Sequence, residues 1–301
     1  MNITVIINSY NYAHYIGQTL DSVLAQTLPA AEIIVVDDGS TDNSRQIIQA
    51  YVDRHPQIKF IEKSNGGQLS TFNAASQHVS GDLVFFIDSD DLWHPTYLET
   101  IVRIYRERPV DYVFCAFEEF DQSQRIIKKY AKDTDLGFST AFTYFKKVYI
   151  GGPTATLSIR KTLFDRIFPV PFEEAWRVCA DLPLVMGASL AGGHKYYCAE
   201  PLVLYRIHKV NAHKLLEKVT DYDYRFTYNR DVLINYFADK FKLNEKSCAD
   251  LIDTEVRVCR GDMRFGLLWR YLTIIFKARQ SLLWRVGKFF ATLKSYFQAT
   301  G

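Results

Sequence analysis

The chain has 301 residues, of which 48% are hydrophobic, so it can bury the core of a large domain and is not a disordered protein. Its formal net charge of +2 gives no reason to expect a nucleic-acid partner. The cysteines are odd in number and far apart, which argues against a disulfide framework and a zinc cluster and indicates a cytoplasmic protein. No apolar run suits a signal peptide or a spanning helix, so we expect any membrane contact to be peripheral.

The first part of the chain alternates between apolar runs and helical patterns. Ile16, Leu20 and Val23, for example, have the spacing of an amphipathic helix. The runs that predict strands are residues 3–7, 33–36, 58–61 and 83–87. This alternation predicts βαβ units, and therefore an α/β fold with a mostly parallel central sheet flanked by helices. Ligands of such sheets bind beyond the carboxyl ends of the strands.

The strand over 83–87 ends in a cluster of acidic residues, Asp88, Asp90 and Asp91. Side chains two positions apart on an extended chain point to the same side, so Asp88 and Asp90 can converge on one ligand. Crowded carboxylates repel each other unless a cation lies among them, and their hard oxygen atoms suit Mg²⁺ or Mn²⁺. The alternative is an acidic loop that caps the helix expected from Pro95.

The other strand ends also carry residues of ligand-binding type. Tyr10 offers an aromatic face, Asp38 an acceptor for base or ribose groups, and Gly66 and Gly67 a close backbone approach. Each has a simpler interpretation in packing or turn formation, but together with the acidic strand they favour a nucleotide-diphosphate site. The glycine motifs of dinucleotide folds and P-loops are absent from the sequence.

These residues carry a family resemblance. Ser9-Tyr10-Asn11, the run over 37–42 and the D-x-D at 88–90 resemble the family 2 glycosyltransferases of the GT-A fold, roughly over residues 1–210. The resemblance implies inverting transfer of a sugar from a nucleotide-diphosphate donor. It places Tyr10 and Asp38 near the base, Asp88 near the ribose, and Asp90 as the principal metal ligand.

Further elements are predicted before residue 210: a helix over 95–106, strands over 111–117 and 154–159, and a hairpin partner for the first of these strands over 126–132. Residues 140–149 are ambiguous between helix and strand. The resemblance implies that this region helps to form the acceptor cleft, with Glu118, Glu119 and Thr154 as candidates to line it. The alternative is that these three side chains are structural or solvated.

Asp181 stands at the start of a helical pattern, where helix capping is the alternative role. Displacement at an anomeric carbon needs a base that takes the proton of the acceptor hydroxyl, and a carboxylate can serve. The family resemblance implies a catalytic acidic residue here, usually within a Glu-Asp pair. This chain departs from that pattern because Ala180 precedes Asp181.

An apolar run over 201–205 ends in Arg206, His208 and Lys209, again as in the resembling family. These groups could face the donor diphosphate or complete a metal shell, because charge that builds up on the leaving group needs nearby cations. The alternative for a histidine at a strand end is an ordinary surface position.

Residues 211–301 change to helical patterns rich in aromatic side chains, which predicts a helical extension after a catalytic unit over 1–210. Over residues 256–301, nine Arg and Lys residues face only Asp262. Basic, aromatic-rich helices of this kind suit an anionic membrane surface, which predicts peripheral attachment at the inner face of the plasma membrane. The alternative is a helical tail packed on the catalytic unit or on a second subunit.

Three classes of function therefore compete. The first is a metal-dependent glycosyltransferase that moves one sugar per encounter to a glycan or lipid-linked acceptor, since the Q-x-x-R-W motif of processive relatives is absent. The second is a sugar-nucleotide nucleotidyltransferase, whose expected glycine-rich and basic first loop is also absent. The third is a catalytically silent protein that binds a nucleotide or lipid, which the presence of Asp38, Asp88, Asp90 and Asp181 argues against.

Overall fold

The computed structural model describes residues 1–121, 124–208, 221–259 and 265–300. Its centre is a mixed sheet in the order β3-β2-β1-β4-β9-β6-β10-β5, with β7 beside β6 and β8 beside β10. The strands are β1 Ile3–Ser9, β2 Glu32–Asp37, β3 Ile58–Glu62, β4 Leu83–Asp88, β5 Leu92–Trp93, β6 Tyr112–Phe120, β7 Arg125–Ile127, β8 Thr134–Gly137, β9 Leu157–Arg160 and β10 Lys195–Arg206.

The helices lie on both faces of this sheet and at its end. They are α1 Ile16–Leu24, α2 Ser44–Val52, α3 Gln68–Ser76, α4 Tyr97–Glu107, α5 Thr140–Lys146, α6 Lys161–Ile167, α7 Asp181–Leu190, α8 Tyr222–Lys240, α9 Glu245–Val258, α10 Phe265–Lys277 and α11 Leu282–Thr300. Short 3-10 turns cover Thr154–Thr156 and Glu173–Trp176.

The four predicted strands β1 to β4 form the parallel half of the sheet, as expected from the βαβ pattern. The inner strands β1, β2 and β4 are mostly apolar because helices cover both faces, and β2 is buried at every position, whereas the edge strand β3 is partly exposed. The second half is mixed, since β9 runs antiparallel to β4 and β6, whereas β10 runs parallel to β6. The α/β prediction is confirmed, and the antiparallel strands are additions that the sequence pattern showed less clearly.

The ambiguous segment over 140–149 begins with helix α5. A carboxylate from a distant helix supports its first turn, because Glu255 of α9 accepts the N–H groups of Ala141 and Phe142. Burial raises the pKa of Glu255 to about 7. The helix start is thus stabilised by a residue more than a hundred positions away, which local patterns cannot reveal.

The last helices pack on the rest of the fold through a third hydrophobic cluster. Leu268, Leu272 and Ile275 of α10 join Phe142 of α5 and Ile252 of α9 in this cluster. The inner face of α10 therefore packs on the rest of the fold, as the alternative prediction for the tail described. None of the helices in the described ranges is long and apolar enough to cross a bilayer. The predicted boundary at residue 210 falls within 209–220, outside the described residues.

Candidate active site

A cavity of about 1160 Å³ opens at the carboxyl ends of the parallel strands. This is the edge where open α/β sheets bind ligands, and the volume exceeds the roughly 300–1,000 Å³ of an ordinary small-molecule site. The predicted site residues that line the cavity are Tyr10, Asp38, Gly67, Asp88, Asp90, Thr154, Asp181 and His208. The structure therefore brings together side chains from segments up to about 200 positions apart.

The loop after β3 is held by Asp38. The carboxylate of Asp38 accepts the N–H of Gly66 at 2.9 Å and the N–H of Gly67 at 2.7 Å, and it pairs with Lys63 at 2.8 Å. Asp38 is itself buried. Its clearest observed role is to shape this loop, while its predicted contact with a base stays a prediction. Gly66 takes part in the loop but is not a lining residue of the cavity.

Gly67 is required by both conformation and space. Its φ of +89° lies where glycine is strongly favoured. An added Cβ would lie 2.3 Å from the Cα of Arg177. The loop after β3 therefore touches the segment that leads into helix α7, and only a residue without a side chain allows this approach.

The acidic loop after β4 concentrates negative charge in the cavity. Removal from water, followed by repulsion from Asp90, raises the pKa of Asp88 to about 7. The same two causes raise the pKa of the buried Asp91 well above its ordinary value. Ser89 points away from this cluster and donates to the carbonyl of Asn8. Asp88 and Asp90 both line the cavity, Asp88 from the end of β4 and Asp90 from the turn that follows it, and their roles at a metal or ribose stay predictions.

His208 lies directly beside Asp90, with its Nε2 2.9 Å from Asp90 Oδ2. The ring of Tyr12 approaches the His208 ring edge-on, at a centroid distance of 6.1 Å. A carboxylate and an imidazole side by side, with Asp88 close enough to repel Asp90, form a donor set that fits Mn²⁺ or Mg²⁺. The described residues hold no cluster of three or more His, Cys, Asp or Glu side chains with metal-cage geometry. Few protein ligands are what a metal shared with substrate phosphates needs.

Arg206 does not face the cavity, so its predicted contact with the diphosphate is wrong. Its buried guanidinium donates to the carbonyl of Asp90 at 2.8 Å and to Gln18 at 2.8 Å, and pairs with Asp121 at 2.6 Å. Its backbone N–H donates to Asp91. The planar guanidinium, with its several N–H donors, therefore holds the acidic loop in place from outside the cavity.

Glu118 and Glu119 do not line the cavity, and this prediction is also wrong. Glu119 pairs with Arg125 across the β6–β7 hairpin at 3.1 Å, and Glu118 lies opposite Ile126 in the same hairpin. Phe117 lines the cavity instead. Strand β6 continues through both glutamates to Phe120, beyond its predicted end at residue 117. The two side chains therefore lie in the β6–β7 hairpin and not at the cavity.

Asp181 is the first residue of α7, and its side chain faces the cavity. The hydroxyl of Tyr149 lies 2.6 Å from Asp181 Oδ2 and 2.5 Å from the carbonyl of Gly152. Asp181 thereby has a fixed position beside a polar partner. The N-cap of α7 is Ala180, so Asp181 lies one position after the residue that the capping alternative would require.

Gln68 connects the acidic loop after β4 to the start of α7, a role that the sequence analysis did not predict. Its amide donates to Asp88 Oδ1 at 2.7 Å, and its carbonyl oxygen accepts the N–H of Ala180 at 2.9 Å. Tyr149 was missed as well. The available signals were positional, since Gln68 follows the glycine pair and Tyr149 stands just before the Gly151-Gly152-Pro153 breaker. Lys209, which was predicted beside His208, lies outside the described residues.

The mixed, mostly parallel sheet, with carboxylates at the carboxyl ends of its parallel strands, has the arrangement of the GT-A class of glycosyltransferase folds. Residues 4–168 match the model of Glycosyl transferase family 2, which is more than half of the chain. The chain therefore belongs to this family of glycosyltransferases. The resemblance inferred from Tyr10, Asp38 and the D-x-D is confirmed.

Several proteins are similar to this chain. An uncharacterized glycosyltransferase from Nostoc is 34% identical over 217 residues, which cover 71% of this chain and 67% of the relative. The putative teichuronic acid biosynthesis glycosyltransferase TuaG of Bacillus subtilis is 35% identical over 42% of this chain and 51% of its own length. GlyA of Streptococcus pneumoniae is 35% identical over 49% of this chain, which spans only 20% of GlyA.

Two solved structures share the fold. Staphylococcus aureus TarS 1–349 in complex with UDP-GlcNAc has a TM-score of 0.60 at 18% identity, over 100% of this chain and 93% of that chain. The mannosyltransferase PcManGT from Pyrobaculum calidifontis, in complex with GDP-Man and Mn²⁺, has a TM-score of 0.55 at 15% identity, over 98% and 87%. At these identities the likeness shows the fold alone.

Proposed function

We propose that this protein is a metal-dependent, inverting glycosyltransferase that moves one sugar from a nucleotide-diphosphate donor to a hydroxyl of a glycan or lipid-linked acceptor. One observation carries the proposal: a single cavity holds the Asp90–His208 pair and the separate carboxylate of Asp181. Gln68 joins their neighbours, because it bonds to Asp88 and to the backbone of Ala180. The Asp90–His208 pair could hold a metal ion that faces the leaving diphosphate, while Asp181 could receive a proton. Family membership supports the same reaction class.

The donor would occupy the end of the cavity formed by the loops after β1, β2 and β3. Tyr10 is exposed there and can stack on a base. Gly67, whose N–H donates to Asp38, lines the same end of the cavity. Asp90 and His208 would hold Mn²⁺ or Mg²⁺, with Asp88 beside them near the ribose. When bound, the metal neutralises charge that develops on the departing diphosphate.

Asp181 would take the proton of the acceptor hydroxyl. Its contact with Tyr149 holds it in the cavity. Gln68 bonds to Asp88 and accepts the N–H of the preceding residue, Ala180, which connects the start of α7 to Asp88. A single base that activates the acceptor opposite the leaving group gives an inverted product. Proton NMR of the first-formed product measures this directly, and a retained anomeric configuration would contradict the proposed role of Asp181.

UDP is the proposed nucleotide, which is supported by the bound UDP-GlcNAc of the TarS structure. GDP is the alternative, because PcManGT of the same fold binds GDP-Man. The test is thermal stabilisation of the protein by UDP-, GDP- and dTDP-sugars, each with and without Mn²⁺. A ligand that binds only the folded state raises the melting temperature. We expect the largest rise with a UDP-sugar and Mn²⁺, and no metal-dependent rise with any donor would contradict the proposal.

We further propose that α10 and α11 attach the enzyme peripherally to an anionic membrane at its cytoplasmic face. Residues 265–300 contain six Arg and Lys residues and no acidic residue. Large apolar side chains are exposed on these two helices: Trp269, Phe276, Leu282, Leu283, Val286, Phe290 and Phe297. Exposed apolar groups among positive charges suit the boundary of an anionic bilayer. The inner face of the same helices is already used for packing.

A further inference from the structure

Around Tyr149, the cavity is lined by three cationic side chains. Lys129 follows β7, Lys147 follows α5, and Arg230 lies on α8. The carboxylates of Asp88 and Asp90 line the same cavity. Because Tyr149 contacts Asp181, this end of the cavity lies on the acceptor side if the proposed function is correct.

Lys129 is held close to the proposed base. Its Nζ donates to the carbonyls of Gly151 at 2.9 Å and Tyr149 at 3.3 Å. It also lies 5.6 Å from the ring centres of Phe114 and Tyr149. Tyr149 contacts Asp181 through its hydroxyl, so one residue separates this ammonium from Asp181. Within the described ranges, no carboxylate forms an ion pair with Lys129. Desolvation by the neighbouring side chains lowers the pKa of Lys129 to about 8, although part of the side chain is accessible to water.

Lys147 and Arg230 share one carboxylate. Lys147 pairs with Asp231, and Arg230 Nη2 lies 3.6 Å from the same side chain. The Nε of Arg230 is buried and has no hydrogen-bond partner among the residues that the structure describes. A buried donor without a partner is costly, which suggests that a ligand completes this group. Lys129, Lys147 and Arg230 thus carry more positive charge than Asp231 balances.

We propose that this end of the cavity binds a phosphate group of the acceptor, held by Lys129, Lys147 and Arg230. The inference rests on the proposed function for the identity of the acceptor side. Three cations match a phosphate dianion, and the forked guanidinium of Arg230 can donate two parallel hydrogen bonds to its oxygen atoms. The accepting sugar would lie between this phosphate and Asp181. The acceptor class is therefore a sugar phosphate, either soluble or attached to a lipid.

The experiment compares glucose 1-phosphate with glucose by calorimetric titration of the full-length protein, with UDP and Mg²⁺ present to occupy the donor end. We expect glucose 1-phosphate to bind at least tenfold more tightly than glucose. Lys129→Met and Arg230→Met should each weaken its binding at least about tenfold, the loss expected for a hydrogen bond to a charged group. Lys129→Arg should retain most of the binding. Lys246→Met, on the exposed surface of α9, is the matched control and should bind as the wild type does.

Equal binding of glucose and glucose 1-phosphate by the wild type would overturn the inference without any variant. Folded Lys129→Met and Arg230→Met proteins that bind glucose 1-phosphate normally would also overturn it. UDP binding, titrated separately, keeps the two proposals apart. If the protein binds UDP but not the sugar phosphate, this inference alone is contradicted. If it binds the sugar phosphate but not UDP, the proposed donor is contradicted. A dodecyl phosphate ester of glucose distinguishes the sources: tighter binding than glucose 1-phosphate indicates a lipid-linked acceptor, and equal binding a soluble one.

Discussion

Replacement of Gly67 by alanine tests how the loop after β3 assembles the site. The substitution places a Cβ at a φ of +89°, which costs about 1–3 kcal/mol. It also brings this atom within 2.3 Å of the Arg177 Cα. Neither backbone can retreat easily, because the N–H of Gln68 donates to the Arg177 carbonyl at 2.8 Å and the N–H of Gly67 donates to Asp38. Overpacking of this kind adds about 1–3 kcal/mol, so we expect a total loss of about 4 kcal/mol.

Gly192 provides the matched control. It also has a positive φ, +76°, but an added Cβ would meet no atom within 4 Å. Gly192→Ala should therefore lose only the conformational part, about 1–2 kcal/mol. Urea unfolding of both variants measures the difference, and a UDP titration shows whether the donor loop has moved. Equal losses of stability in the two variants, or normal UDP binding by Gly67→Ala, would refute this explanation of the loop.

Three further predictions concern the base, the helical tail and the membrane surface. Asp181→Asn should lower turnover by about 10²–10⁴ with unchanged UDP binding, measured by steady-state kinetics; normal turnover would exclude Asp181 as the base. Folding raises the pKa of Glu255 from 4.5 to about 7, so the folded state binds the extra proton in this range and loses about 3 kcal/mol of stability as the pH rises through it. Urea unfolding at pH 5 and pH 8 should show a smaller pH dependence for Glu255→Gln, and an unchanged one would refute the assignment. Trp269→Ser with Phe290→Ser should reduce sedimentation with anionic liposomes about tenfold, whereas Tyr224→Ser, an exposed aromatic on α8, should not; equal sedimentation of all variants, or a stable dimer without vesicle binding, would contradict the membrane proposal.

The parallel half of the fold could be predicted from sequence because its signals are local. Apolar runs of strand length alternate with amphipathic helices, and acidic or glycine residues follow each run directly. The position of Asp88 in the cavity follows from the end of β4, whereas Asp90 reaches the same cavity from the turn after the strand, to which the two-residue period does not apply. The family resemblance then supplied the reaction class, which residue types alone left open.

The errors arose where tertiary contacts decide the direction of a side chain. Arg206 stands at a strand end, as expected, but its guanidinium turns behind the acidic loop towards Asp121 and Gln18. The link formed by Gln68 joins residues 112 positions apart, so no local pattern contains it. The positive charge of the tail could be read from the sequence. Which faces of α10 and α11 are packed and which are exposed could be seen only in the structure.

Metal-dependent release of the nucleotide tests the central claim most directly. The assay follows UDP release from a UDP-sugar in the presence of mixed sugar acceptors, with Mn²⁺ or with EDTA, for the wild type and for Asp90→Asn. We predict that the wild type releases UDP only with the metal. In Asp90→Asn the rate of release should fall at least about 10²-fold, because the variant lacks the carboxylate that pairs with His208 and would bind the metal. Release that is equal with EDTA, or unchanged in Asp90→Asn, would contradict a metal-dependent transfer at this site.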